Sequence, residues 1–559
     1  MLTESVAFAS PRSWQDIRDA KKAEQAARIP VEWRLTEFPL AGTIDVRPVA
    51  STCGILSGRE LKITGNSYDA TSLASAIANG IYSAEEVAVA FCKRAAVGHQ
   101  LCNNLTEIMF LDAIDEAKRL DQYFQETGKT VGPLHGLPMT FKECFHIKGY
   151  DYSNGYISKA FNPSSSTTYV IELVKAAGAV VIAKTNVPQT MLVAEADNNV
   201  FGQTKNPVVY HLTCGGSSGG EGSNMAFRGS AIGVGTDVGG SVRIPAAANG
   251  VYGFKPTCGL LPFHGYAASG YTGVNTGISA TLGPLAQSVR DLALFTRVVR
   301  DAKPWCVDPA VVPQVFEQGM ISRKPVVGVI SSSGLTPHPP LRRALQDAAM
   351  KLKAAGFNVK EFVPPNLTSI REVTAELFTL DGLSYQKDTL AESGEPPVQA
   401  VLDIGFWNMP RKSQEETWAL NTRRFGFCKQ MLDRWQEAEI DVVLCPAGPH
   451  TPVLPGQWNN DTYTVAWNAV DYPSVIIPFT TADPILDPKD TNFVALSEID
   501  TINETKYDPE LLAGAPASLQ IVAQKWGDEQ LLADVEVIDQ ILNGKPSGET
   551  ASSSGVPKL

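Results

Sequence analysis

Short apolar segments typical of β-strands alternate along this chain with segments typical of helices. The strand-like segments are residues 179–184, 325–330, 358–362 and 440–446. Helix-like segments separate them, for example residues 340–355, which end before Gly356. Alternation of this kind is typical of a sheet that buries both of its faces under helices. The sequence therefore predicts an α/β fold with helices on both faces of a sheet.

The two ends of the chain differ in character from its middle. A polar, alanine-containing stretch over 14–28 predicts a helix, and a proline-punctuated loop follows it. Two helices then begin the main domain, at 71–79 and after a capping box formed by Ser83 and Glu86. The last residues are small and polar. We predict an extension over 1–68 packed on the core, a main domain over 69–542 and a flexible tail over 543–559.

Charge and cysteine content narrow the classes of protein and partner. The formal net charge of −12 argues against binding to nucleic acid, because such binding needs clustered Lys and Arg. The nine cysteines are scattered without CxxC pairs, which indicates a reduced, intracellular protein without a zinc site. We find no signal peptide and no apolar run long enough to span a membrane. We therefore expect a small-molecule substrate and a cytoplasmic location, although the final Pro-Lys-Leu is a weak variant of a peroxisomal signal.

Glycine and serine are concentrated over residues 214–247, around Asp237 and Arg243. A flexible linker would lack the apolar residues found at 231–235 and 244–246. A phosphate-binding loop is disfavoured as well, because no GxxxxGK[ST] occurs and Val238 stands where a dinucleotide fingerprint needs its third glycine. The stretch is therefore predicted to be buried backbone that approaches something closely.

The pattern GxSxG of a nucleophile elbow matches this stretch twice, with Ser217 or Ser218 as the nucleophile. A Ser-Asp-His hydrolase therefore stays open, with the downstream histidines as candidate bases: His264, His338 and His450. A longer pattern competes with it. Ser217 and Ser241 each lie beside glycine pairs, and Lys142 lies upstream in GPLHGLPMTFK.

This longer pattern resembles the amidase signature family. The matching segments are GGSSGGEG at 215–222, GVGTDVGGSVRIPAA at 233–247 and GPLHGLPMTFK at 132–142. Further blocks extend the likeness over about 70–540, and Glu221 with segment 54–65 resembles the fungal acetamidase-type branch. Glu143 departs from the pattern, since many members carry Asp there. The resemblance implies a large mixed β-sheet core and hydrolysis of small to medium carboxylic acid amides to carboxylate and ammonia.

The resemblance also implies a catalytic triad of Lys142, Ser217 and Ser241 that works through an acyl-enzyme. Ser241 is the nucleophile, and Ser217 relays its proton to Lys142 from a cis peptide bond with Gly216. A serine hydroxyl needs a base, and lysine accepts a proton only when it is neutral. Burial must therefore lower the pKa of Lys142. Neighbouring Cys144 is interpreted as a packing residue.

Further site residues follow from the same likeness. An oxyanion hole is expected from the backbone N–H groups of Val238, Gly239, Gly240 and Ser241. Candidate substrate-binding residues are Met191, Gly216, Ser218 and Thr236. Asp237 and Arg243 are interpreted as a charge pair that holds the loop in shape, and no metal or cofactor is expected.

Three alternatives to a free-standing amidase stay open. One is the glutaminase subunit of an aminoacyl-tRNA amidotransferase, which needs partner subunits, and another is an enzyme similar to fatty acid amide hydrolase. A non-catalytic binding protein would lack Lys142, Ser217 or Ser241, whereas all three are present. A homodimer is compatible with the hypothesis of a free-standing amidase. The sequence leaves the natural acyl group open, because loops form the walls of the pocket.

Overall fold

A single sheet runs through the computed structural model, which describes residues 13–267, 269–271, 273–274, 276–314, 319 and 323–544. Its strands are β1 (Leu105–Ile108), β2 (Pro138–Lys142), β3 (Val180–Thr185), β4 (Ile232–Asp237), β5 (Tyr252–Lys255), β6 (Thr281–Ala286), β7 (Val327–Val329), β8 (Val359–Glu361), β9 (Val442–Pro446), β10 (Ser474–Thr481) and β11 (Pro516–Val522). Their order across the sheet is β1-β3-β2-β4-β6-β5-β10-β11-β9-β7-β8. The strand groups β3-β2-β4 and β9-β7-β8 are parallel, and the other pairs are antiparallel. The predicted mixed sheet is confirmed.

Helices of the described chain precede, connect and follow the strands. They are α1 (Trp14–Ala27), α2 (Val49–Thr52), α3 (Gly58–Thr64), α4 (Ala70–Ala78), α5 (Ala84–Cys102), α6 (Phe110–Thr127), α7 (Tyr169–Ala176), α8 (Gly219–Ala226), α9 (Arg243–Asn249), α10 (Val289–Asp301), α11 (Pro339–Ala354), α12 (Leu367–Phe378), α13 (Ser384–Ser393), α14 (Gln399–Asp403), α15 (Gln414–Ala438), α16 (Thr462–Ala469), α17 (Glu498–Thr505) and α18 (Asp528–Asn543). Short 3-10 helices cover Val31–Trp33, Ile157–Lys159 and Pro304–Cys306. None of the helices in the described part of the chain is long and apolar enough to cross a bilayer.

Strand β9 shows why the sheet carries helices on both faces. Successive side chains of a strand point to opposite faces, and those of β9 are apolar on both. Val442 and Leu444 pack with apolar residues of α11 and α18, whereas Val443 and Cys445 pack with residues of α12, α15 and α16. Two hydrophobic layers therefore enclose this half of the sheet, as the sequence predicts.

Most predicted elements agree with the structure to within a few residues. The capping box at the start of α5 is present: Ser83 Oγ accepts from the Glu86 N–H at 3.0 Å, and Glu86 Oε2 accepts from the Ser83 N–H at 3.1 Å. Strand β7 is shorter than the predicted strand over 325–330. Pro325 has no N–H to donate, and the N–H of Val326 is bound by Asp441 Oδ2 at 2.7 Å.

Helix α1 of the predicted extension is anchored to the edge strand β1. Lys21 is buried and forms ion pairs with Glu107 at 2.6 Å and Asp151 at 2.7 Å. Gln25 Nε2 donates to the carbonyl oxygens of Leu105 and Thr106 at 2.8 and 2.9 Å. These contacts occupy polar groups that an edge strand leaves open. Residues 1–12 and 545–559, including the final Pro-Lys-Leu, lie outside the described residues.

Candidate active site

Lys142 and Thr236 meet because β2 and β4 are parallel neighbours. Lys142 is the last residue of β2, and Thr236 lies near the end of β4, so both lie at the same edge of the sheet. Lys142 Nζ donates to Ser217 Oγ at 2.7 Å and to Thr236 Oγ1 at 2.8 Å. The structure therefore brings the predicted base within hydrogen-bonding distance of the predicted relay serine.

Burial without a charged partner distinguishes Lys142 from the other buried lysines. Burial lowers the pKa of Lys142 from its ordinary 10.5 to about 8, and the weaker influence of Cys144, Asp237 and Glu221 acts in the opposite direction. Lys184 is buried to the same extent, yet its Nζ lies 3.3 Å from a carboxylate oxygen of Glu143. A neutral amine at Lys142 is therefore accessible near physiological pH.

The peptide bond between Gly216 and Ser217 is cis, as the resemblance to the amidase signature family implies. A Cβ on Gly216 would lie only 1.9 Å from the carbonyl oxygen of Glu195, so only glycine fits there. The N–H of Ser218 donates to the carbonyl oxygen of Ser241 at 3.1 Å. This bond joins the segment that carries Ser217 to the turn that carries Ser241.

The turn from β4 to α9 needs a glycine at position 240. Gly240 has φ +130°, and a Cβ there would lie 2.3 Å from Thr464 Oγ1. Its N–H donates to Asp237 Oδ1 at 2.9 Å. Of the amides predicted to bind an oxyanion, that of Gly240 therefore already has a partner. The N–H groups of Gly239 and Ser241 donate to no other residue in the described part of the chain.

Asp237 and Arg243 form a fully buried pair that spans this turn. Arg243 Nη2 and Nε each lie 3.0 Å from an oxygen of Asp237. Arg243 Nη1 also donates to the Thr464 carbonyl and to Gln520 Oε1, both at 2.9 Å. Burial by itself would raise the pKa of Asp237, but the neighbouring guanidinium holds it well below its usual range. Both side chains are occupied by contacts within the protein.

Ser218 and Glu221 lie behind the site. Ser218 is buried, and its hydroxyl oxygen lies 3.3 Å from both the N and the O atom of Thr236. It therefore holds the start of α8 against β4, and it lines neither compartment. Glu221 Oε2 accepts from Thr140 Oγ1 at 2.7 Å, and burial raises the pKa of Glu221 to about 8. Glu143 also has a structural role, because its Oε1 accepts from the Ser153 N–H at 2.7 Å.

Two compartments at the site share Ser241 in their linings. The larger is a cavity of about 230 Å³, and five of the predicted residues line it: Met191, Ser217, Thr236, Val238 and Ser241. The smaller has a volume of about 30 Å³, and its lining includes Met191, Gly216, Gly239, Ser241 and Trp458. Some of the predicted site residues therefore face space that a ligand could occupy, and the others do not.

Sequence reasoning missed several residues of the larger cavity. They are Cys144, Phe263, Tyr266, Phe378 and Gln386. Cys144 is buried as expected of a packing residue, yet it also faces the cavity. Phe378 and Gln386 lie at the end of α12 and in α13, more than a hundred residues beyond Ser241, and no local pattern marks them.

The histidines of the Ser-Asp-His alternative do not reach this site. His338 and His450 are buried, and their ring nitrogens lie 2.9 Å from the carbonyl oxygens of Asn503 and Thr451. His264 is exposed, and none of the three lines either compartment. Nor do any three His, Cys, Asp or Glu side chains come together to hold a metal ion within the described ranges.

Comparison with known proteins identifies relatives along nearly the whole chain. The family model "Amidase" matches residues 86–532. An acetamidase of Emericella nidulans is 36% identical over 547 residues, covering 95% of this chain and 99% of the relative. An amidase of Gibberella moniliformis is 37% identical over 544 residues, with the same coverage of both proteins. A solved structure of fatty acid amide hydrolase is 31% identical, covers 95% of both chains and superposes with a TM-score of 0.90.

Proposed function

The chain belongs to the amidase family and is an amide hydrolase, and we propose that it cleaves small to medium primary carboxamides to carboxylate and ammonia. The observation that carries this proposal is the environment of Lys142. Its amine is fully buried between the hydroxyls of Ser217 and Thr236, at 2.7 and 2.8 Å. A lysine in that environment can serve as a base, because burial disfavours its charged form.

In the first step Ser241 Oγ forms a bond to the amide carbonyl carbon. Its proton passes to Ser217 Oγ while the proton of Ser217 passes to the lone pair of neutral Lys142 Nζ. Thr236 Oγ1 accepts an N–H of Lys142, which aims the lone pair at Ser217. The carbonyl electrons move onto oxygen, where the N–H groups of Gly239 and Ser241 supply donors.

In the second step the C–N bond breaks and the carbonyl re-forms. The proton returns from Lys142 through Ser217 to the departing nitrogen, which leaves as ammonia, and an ester of Ser241 remains. Water then adds to this ester and gives up its proton along the same route. The acid is released and Ser241 regains its hydroxyl, so the protons balance over the cycle.

The assignment of the nucleophile is tested by Ser241→Ala. This change should abolish hydrolysis and prevent covalent labelling by a fluorophosphonate, because it removes the hydroxyl that attacks the carbonyl in this mechanism. Ser75→Ala, an exposed serine of α4, is the matched control and should leave rate and labelling unchanged. A labelled peptide that carries Ser217 or Ser218 would contradict the mechanism and favour the nucleophile elbow.

We propose a free-standing cytoplasmic enzyme, with a homodimer as its assembly, an extension over 1–68, a catalytic domain over 69–542 and a tail over 543–559. Purified alone, the chain should hydrolyse primary amides without any partner subunit. Activity on glutamine that appears only with partner subunits present would favour the amidotransferase alternative.

A further inference from the structure

Tyr266 lies in the wall of the larger cavity, beside the end of the strand that carries Lys142. The N–H of Ala267 donates to the carbonyl oxygen of Cys144 at 2.8 Å, and Tyr266 forms an isolated antiparallel bridge with Phe145. Cys144 and Phe145 follow closely on Lys142, the last residue of β2. The backbone of Tyr266 is therefore held close to the predicted base, although the two residues lie far apart in the sequence.

The hydroxyl of Tyr266 is available to a ligand. Its oxygen makes no hydrogen bond within the described chain. The hydroxyl of Tyr156 has no partner there either, but that oxygen is buried, whereas the oxygen of Tyr266 is accessible and its side chain is half-buried. A polar group of this kind inside a cavity exchanges water for a ligand at little cost.

Two neighbours indicate the direction of this hydroxyl. The ring of Tyr266 packs against that of Phe263, with 3.9 Å between the centroids. Burial raises the pKa of Tyr266, and the nearby Cys144 thiol adds to this effect. Tyr266 also borders a separate cavity, but Cys144 lines only the one at Ser241. The hydroxyl therefore lies on the side of the larger cavity, and it keeps its proton.

The rest of the wall limits what this hydroxyl binds. Most of the facing side chains are apolar, for example Met191, Leu192 and Phe378. Asp381 lines the same cavity, and none of the described lining residues is a lysine or an arginine. An O–H that keeps its proton donates, so the matching group of a ligand is an acceptor. The negative charge of Asp381 disfavours an anionic acceptor, which leaves an uncharged one.

We propose that Tyr266 is a specificity-determining residue whose hydroxyl donates a hydrogen bond to a neutral oxygen in the acyl group of the substrate. An ether or a carbonyl oxygen meets this requirement. The inference rests on the proposed function for the reacting bond, a primary carboxamide that is cleaved at Ser241. It adds the class of acyl group, an apolar chain interrupted by one uncharged acceptor.

The test uses two pairs of amides in which an ether oxygen replaces one CH2 group. They are 3-methoxypropanamide with pentanamide, and 4-methoxybutanamide with hexanamide. The two chain lengths place the oxygen at two depths in the cavity. For the wild type we expect kcat/KM to favour at least one ether over its hydrocarbon partner about fivefold. Succinamate, which offers a carboxylate instead, should be cleaved more slowly than that ether.

Tyr266→Phe removes the hydroxyl and keeps the ring. The ratio of the same ether to its hydrocarbon partner should then fall below one, because the ether oxygen loses its water without gaining a donor. Tyr123→Phe, at an exposed tyrosine of α6, is the matched control and should keep the wild-type ratio.

The inference is wrong if the wild type cleaves both hydrocarbon amides as well as their ethers. It is also wrong if folded Tyr266→Phe keeps the wild-type ratio, or if succinamate is preferred to both ethers. The wild-type comparison decides the matter by itself if the phenylalanine variant does not fold. Failure of the proposed function gives a different result, in which none of these amides is hydrolysed although the protein is folded.

Discussion

At the scale of single residues, the chemistry of this site depends on which buried cations lack a carboxylate. Lys21 lies against Glu107 and Asp151; burial opposes its charge, but these carboxylates raise its pKa above the ordinary value. Lys142 has hydroxyl partners instead, and burial lowers its pKa to about 8. The first lysine is a structural cation, and the second can exchange a proton near neutral pH.

The pH profile tests the protonation state of Lys142. Because its pKa is lowered to about 8, the amine is charged below that pH and neutral above it. We expect kcat/KM to fall as pH decreases through about 8 and to level off above it. Lys142→Arg should not restore activity, since a guanidinium stays charged and has no acceptor.

Lys142→Met is the control for packing. It should fold, as shown by circular dichroism, and lose activity by a factor of 10² or more. Near-normal rates in well-folded Lys142→Arg would contradict the neutral-lysine mechanism and leave Lys142 with an electrostatic role.

At the scale of elements, the strand β4, the turn after it and the helix α9 together position several groups of the site. This unit supplies Thr236 beside Lys142, the amides of Gly239 and Ser241, and Ser241 itself. The buried ion pair of Asp237 and Arg243 joins the two ends of this turn. The geometry of the nucleophile therefore depends on a charge pair that does not face the cavity.

Substitution of Arg243 tests this dependence. Arg243→Met leaves the Asp237 carboxylate buried without its cation, so we expect the free energy of unfolding to fall by about 3 to 5 kcal/mol. The measurement is urea denaturation at pH 7. The double variant Asp237→Asn with Arg243→Met removes both charges and should recover part of this loss. A single variant as stable as the wild type would show that the pair does not hold the turn.

At the scale of the whole molecule, residues from both halves of the chain complete one site. Lys142, Ser217 and Ser241 come from the first half, whereas α12 and α13 of the second half contribute Phe378 and Gln386 to the cavity. His338 and His450 pack together in the second half, with ring centroids 5.7 Å apart. Burial lowers the pKa of His338 to about 4.

Acid unfolding tests this buried histidine pair. Between about pH 6.5 and 4 the unfolded chain binds a proton at His338 that the folded protein does not, so stability falls as pH decreases. We expect this histidine to contribute a loss of about 1.4 kcal/mol per pH unit in that window. The free energy of unfolding of His338→Gln should be correspondingly less dependent on pH. His264→Gln, at an exposed position, should keep the wild-type dependence, and an identical slope in all three proteins would contradict the explanation.

The sequence alone determined the fold class and the residue types available for chemistry, because those depend on local patterns. Apolar runs predicted strands such as β3 and β9, and a capping box marked the start of α5. The glycine-rich stretch over 214–247 predicted closely packed backbone, and Gly216 and Gly240 in the structure leave no space for a Cβ. Only the tertiary structure decided that β2 lies beside β4, that Gly240 gives its N–H to Asp237, and that Gln386 faces the cavity of Ser241. The tertiary structure also decided the lowered pKa of Lys142, because burial is a property of the packed molecule. Contacts between residues far apart in the chain leave no local pattern, because packing and not neighbouring sequence selects them.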